Sequence, residues 1–207
     1  MCDDCCNCSD DWRNCLICFA AVSVLGLVAV LVAAFGFVRH PAFTVEEASL
    51  TRFNLSSPSS ATALAYNLSL ALTIHNPNWA MSIKNTKPME AAYRFDDQQF
   101  DRVLIADKGS KLRAMKTVVY RVVSGSDNAY ASLGNAGVVE YGKERKKGTF
   151  LVDVEVTGQV RYTARYTKCK IEATCPLELQ LEQPGQAPVA VAFQKVKCTL
   201  AKAEKHC

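Results

Sequence analysis

The stretch "NLSLALTI" (residues 67–74) decides the fold class. Leu68, Leu70, Leu72 and Ile74 share one parity; Asn67, Ser69, Ala71 and Thr73 share the other. In an extended chain successive side chains point to opposite faces, so this alternation makes one face apolar and the other wet. A helix would need apolar residues every three or four positions. The same period returns in "TFLVDVEVTG" (149–158), which turns Phe150, Val152, Val154 and Val156 one way. It continues in "QVRYTARYT" (159–167), with Val160, Tyr162, Ala164 and Tyr166. "KIEATCPLELQLE" (170–182) follows with Ile171, Ala173, Cys175, Leu177, Leu179 and Leu181. "KTVVYRVVSG" (116–125) is rich in β-branched residues, and "PVAVAFQKVKCTL" (188–200) reads as a last strand. Breakers punctuate these runs: "NPN" at 76–78, "KGS" at 108–110, "SGSD" at 124–127, "GKERKKG" at 142–148 and "QPGQAP" at 183–188. Short strands with polar turns predict an all-β, antiparallel sandwich. One short helix is expected around 126–137 and a Ser/Pro-rich surface loop at 54–63.

Upstream of this domain (39–207) the pattern changes. Residues 16–38, "LICFAAVSVLGLVAVLVAAFGFV", carry no charge and no proline. A helix of that length reaches about 34 Å, enough to cross a hydrocarbon layer of about 30 Å. A cleaved signal peptide, cut near "AFG" at 34–36, is the alternative. Its apolar part should be shorter and follow a basic start, whereas Asp3, Asp4, Asp10 and Asp11 precede this one. The reading is an uncleaved signal-anchor. Arg13 before the span and Arg39 and Arg52 after it leave the positive-inside rule undecided.

Cysteine and asparagine positions set the expected topology. Of ten cysteines, six crowd the first eighteen residues and four lie at Cys169, Cys175, Cys198 and Cys207. A hairpin centred on "PGQA" (184–187) sets Cys175 nearly opposite Cys198, which suits a cross-strand disulfide. Cys169 and Cys207 form a second, less supported pair, and buried reduced thiols are the alternative. Sequons begin at Asn54 and Asn67. Disulfides need an oxidising compartment, so the late domain is expected outside the cytosol and the first segment (1–15) inside it. There Cys5, Cys6, Cys8 and Cys15 become juxtamembrane S-acylation candidates. Cys2-x-x-Cys5 and Cys15-x-x-Cys18 have zinc-like spacing, but no compact domain supports them.

These features together resemble the plant NDR/HIN-like (harpin-induced and non-race-specific disease resistance) family. The resemblance rests on the Cys-bearing start, the single span, "LTIHNPNWAMSIKN" (72–85) with its Asn76-Pro77-Asn78 turn, and the closing "RYTKCKIEATCPLELQLEQPGQAPVAVAFQKVKC" (165–198). It implies a late embryogenesis abundant group 2 domain, a β-sandwich of fibronectin/immunoglobulin-like shape. It also implies a plant plasma-membrane protein linked to defence and stress. No Asn-Gly-Asp adhesion triplet is present.

Catalysis finds no foothold. His40, His75 and His206 belong to no nucleophile or metal pattern, and phosphate-loop, G-x-S-x-G and H-E-x-x-H motifs are absent. Asp96, Asp97 and Asp101 read as a solvated loop rather than a calcium site. "GKERKKG" reads as a hairpin tip whose Lys143, Arg145, Lys146 and Lys147 face solvent or an anionic partner such as acidic wall polymer or lipid headgroups. Asn76 and Asn78 are expected to shape a turn. Net charge of +4 gives no reason to expect nucleic-acid binding. The expectation is a non-enzymatic membrane protein without cofactor or small-molecule substrate. It would meet membrane lipid and a protein partner at the plasma membrane, with its N-terminus cytosolic. The alternative is a surface protectant during dehydration.

Overall fold

The computed structural model describes residues 12–55, 63–163, 165–181 and 193–201. Helix α1 (Trp12–Phe35) leads into two antiparallel sheets that pack face to face as a sandwich. It starts earlier and stops earlier than the predicted 16–38 span, because the chain leaves the helix at Gly36 and runs extended to the first strand. Within it Asn14–Phe35 has a mean hydropathy of 2.9 and is long and apolar enough to cross a membrane. The Ser23 hydroxyl donates to the Phe19 carbonyl at 2.8 Å, so this polar group has a partner within the helix.

The strands are β1 (Ala42–Leu55), β2 (Ala63–His75), β3 (Ile83–Asn85), β4 (Met89–Phe95), β5 (Gln98–Ala106), β6 (Lys111–Leu112) and β7 (Thr117–Tyr130). Helix α2 (Gly134–Lys147) follows, then β8 (Thr149–Tyr162), β9 (Lys168–Gln180), β10 (Val196–Lys197) and β11 (Thr199–Leu200). One sheet has the order β10-β1-β2-β7. In the other, β8 is flanked by β9 on one edge and by β3 and β4 on the opposite edge. The alternating residues meet between the sheets: Leu68, Leu70, Leu72 and Ile74 from β2, and Val152, Val154 and Val156 from β8, are all buried.

The predicted hairpin register holds where it can be followed. Thr199 pairs with Thr174 and Leu200 with Ala173, and Cys175 is bonded to Cys198. The last strand, however, is not continuous. Val196 and Lys197 pair with β1, and the chain then crosses to β9 at Cys198, whose N–H donates to the Phe43 carbonyl. Residues 182–192, including the predicted turn, lie outside the described residues.

Four expectations are corrected. "SGSD" is no turn: β7 runs through it to Tyr130, and Gly125 eases a close strand approach, since a Cβ there would sit 3.2 Å from the Tyr66 carbonyl oxygen. The helix therefore begins at Gly134 rather than near 126. "GKERKKG" is not a hairpin tip but the last two turns of α2, closed by Gly148 at φ 72°. Tyr166 does not continue the buried alternation of β8, which ends at Tyr162; it lies exposed in the following loop.

Candidate functional site at the two ends of the sandwich

All the strand ends nearest α1 gather at one end, here the base. The Asn76-Pro77-Asn78 turn organises it, and both asparagines are buried. Asn76 Nδ2 donates to the carbonyls of Met81 (2.8 Å) and Arg113 (3.1 Å). Its Oδ1 accepts from the Asn78 N–H at 3.1 Å and from Asn78 Nδ2 at 2.9 Å. Asn78 in turn holds both backbone groups of Arg39: its Oδ1 accepts from the N–H at 2.8 Å, and its Nδ2 donates to the carbonyl at 2.6 Å. The Asn78 carbonyl accepts from the Met115 N–H at 3.0 Å. The Arg165 guanidinium donates to the carbonyl of Gly36, the residue just past α1. Thus two loops and the exit of the apolar helix are tied through two side chains, a role that short amides with a donor and an acceptor fill.

At the opposite end, the crown, α2 lies across the sandwich mouth. Its buried residues Gly137, Tyr141 and Glu144 recur at helical spacing. Tyr141 stacks at 5.7 Å from Phe150 and 6.1 Å from Phe53, and its hydroxyl donates to the Phe53 carbonyl at 3.1 Å. Glu144 accepts from the Leu151 N–H at 3.1 Å; burial raises its carboxyl above the ordinary value, and the hydrogen bond to Leu151 opposes that shift. Lys143, Arg145, Lys146 and Lys147 all point to solvent. Lys143 pairs with Glu140 at 2.7 Å, while the other three form no ion pair with a described residue. Their position in the last turn also complements the helix dipole.

The remaining candidates fall elsewhere. Asn54 and Asn67 are exposed on the outer face of the β1–β2 sheet. Cys15 lies half-buried in α1, Cys169 is disulfide-bonded, and Cys5, Cys6, Cys8 and Cys207 lie outside the described residues. His75 ends β2 with Nδ1 2.9 Å from Thr117 Oγ1. Asp96 and Asp97 form the left-handed turn between β4 and β5, as two-residue hairpins require. Asp101 belongs to β5 and not to a loop: it accepts from the Tyr66 and Ser124 hydroxyls, joining the two sheets. Burial, with this carboxylate second, drives the Tyr66 hydroxyl's pKa far upward. Among the described residues no group of three His, Cys, Asp or Glu could hold a metal ion.

No family model matches the chain. A curated relative, NDR1/HIN1-like protein 10 of Arabidopsis thaliana, is 25% identical over 183 residues, which are 86% of this chain and 77% of that protein. Over that length the chain is similar to an NDR1/HIN1-like protein. A solved protein from Archaeoglobus fulgidus aligns over 67% of this chain and 98% of its own, at 6% identity and a TM-score of 0.32, and carries no weight here.

Arg39, Arg113 and Arg165 had no motif to mark them, since their base contacts involve backbone groups far apart in sequence. The α2 stripe was visible as Leu133, Gly137, Tyr141 and Glu144, spaced four, four and three apart. The flanking Gly142 and Gly148 masked it as a turn.

Proposed function

We propose that this chain is a non-enzymatic, single-pass membrane protein of plant defence or stress response, anchored by α1 with its sandwich on the extracellular side of the plasma membrane. The sandwich works as a binding module through its crown. The observation that carries this reading is the opposition of the two ends. The base is clamped to the exit of the apolar helix at Arg39, and the unpaired cations of α2 stand at the other end of β1. With about 3.3 Å per strand residue, that separation is about 35 Å. Screening at physiological salt acts over about 8 Å. The α2 cations therefore do not serve the bilayer that α1 enters. They suit an anionic partner beyond it, such as an acidic wall polymer or an acidic protein face.

The test uses the full-length protein in vesicles. Binding of polygalacturonate is compared with that of an Arg145→Glu, Lys146→Glu, Lys147→Glu variant. The expected result is a loss of roughly tenfold or more in affinity, with wild-type binding weakened by salt. Equal binding by both proteins would sink the crown as the contact. Equal protection of drying vesicles by both, with no polymer bound, would favour the protectant reading. Topology is checked separately: glycosidase should shift the mass of the microsomal protein, and Asn54→Gln with Asn67→Gln should abolish that shift.

A further inference from the structure

We infer that the base of the sandwich is a lipid-headgroup docking surface, seated on the bilayer that α1 enters through Trp79, Met115, Tyr166 and the cations around them. This rests on the reading of α1 as a membrane anchor. Four segments meet at the base: 36–41, 76–82, 113–117 and the described residues of 162–168, namely 162–163 and 165–168. Together they hold Arg39, Arg113, Lys116, Arg165 and Lys168, and all 20 of the chain's Asp and Glu lie elsewhere. The crown, by contrast, mixes its cations with Glu140, Asp96 and Asp97. Among the described residues of these segments the charge is of one sign, a local feature and not a reflection of overall charge.

The apolar residues of the same loops point outward. Trp79 is 58% exposed, Met115 57% and Tyr166 97%. Left in water, such side chains beside one another make an unusual patch. At the level of lipid headgroups the same set is favourable, because indole and phenol rings sit at the boundary while Arg and Lys meet phosphate. Geometry keeps the patch at that level. Five residues, 36–40, join the helix end at Phe35 to Pro41, a reach of at most about 22 Å. Even this reach is not free, since Arg39 is held on both backbone groups by Asn78 and Gly36 by Arg165. Met115 is tied to the same turn through the Asn78 carbonyl. The domain cannot rise on a slack tether, so the base loops stay beside the point where α1 leaves the membrane.

The chain carries two tryptophans, and they separate the two questions. Trp12 begins α1, and Trp79 sits on the base. The full chain is reconstituted in phosphatidylcholine vesicles, with and without phosphatidylglycerol, containing lipids brominated at shallow or deep acyl positions. In a Trp12→Phe variant, Trp79 is expected to be quenched by shallow bromines more than by deep ones. Adding Arg113→Glu and Lys116→Glu should cut that quenching by roughly half without moving the thermal melt. Unquenched Trp79 overturns the docking surface. The companion Trp79→Phe variant reads the anchor. Quenched Trp12 beside unquenched Trp79 rejects docking alone, whereas Trp12 that also escapes quenching rejects the anchor and the docking surface with it.

Discussion

The two ends of this sandwich close the same kind of gap with opposite chemistry. At the base, buried amides of Asn76 and Asn78 collect backbone groups from two loops and the exit of α1. At the crown, Phe53 sits 5.3 Å from Phe95 and 4.7 Å from Phe150, and α2 adds Tyr141 to that ring cluster. Apolar closure leaves polar side chains to face out, and at the crown these are the α2 cations interspersed with Glu140, Asp96 and Asp97. Polar closure uses amides inside and leaves Trp79 and Met115 to face out. What an end hides and what it offers are thus complementary, and the offered sets differ in the partner they suit.

The contrast can be broken from either end. The largest effect is expected from Phe53→Ala, which empties the centre of the ring cluster and should lower unfolding free energy by about 4 kcal/mol. Urea denaturation checks the size. Amide exchange should quicken first in α2 and at Leu151, while Arg39 and Met115 keep their protection. Asn76→Ala should cost about 3 kcal/mol, because the carbonyls of Met81 and Arg113 and the Asn78 side chain lose their partner together. Here exchange should quicken at Met115 and Arg39 and spare α2. Identical exchange patterns from the two variants would mean that the ends do not open separately.

The smallest effect sharpens the crown. The raised Glu144 carboxyl binds its proton more tightly folded than unfolded. Its stabilising contribution is therefore full below the ordinary value of 4.5 and fades as pH rises from there through the higher folded value. Glu144→Gln keeps an acceptor for the Leu151 N–H without that titration. The melting temperature of the variant relative to wild type should climb by roughly 2 °C between pH 4.5 and 7. A flat difference would show that Glu144 is solvated in both states.

Sequence alone carried the sheet faces, because burial of alternate residues in β2, β8 and β9 is local arithmetic. It also carried the Cys175–Cys198 pairing, since a hairpin register is a sum of two numbers. It failed where a single chain run serves two neighbours. The stretch before Cys198 pairs with β1 and the stretch after it with β9, a choice made by strands far away in sequence. It failed again at Gly125 and Gly148. One glycine permits a close strand approach and the other ends a helix, and the letter is the same for both. The asparagine turn was recognised, but its grip on Arg39 could not be, because that contact spans 39 residues.

The placement of β1 has a mechanical consequence. Its first residues follow the apolar helix α1, and its last residues lie under α2. In the arrangement proposed above, a partner that pulls on the crown while the bilayer holds α1 would load the sandwich along its strands. Inter-strand bonds lie across that direction, so the pairs joining β1 to β2 bear the load together in shear and are not peeled one at a time. Built this way, the domain resists tension between its two ends better than its thermal stability alone would suggest.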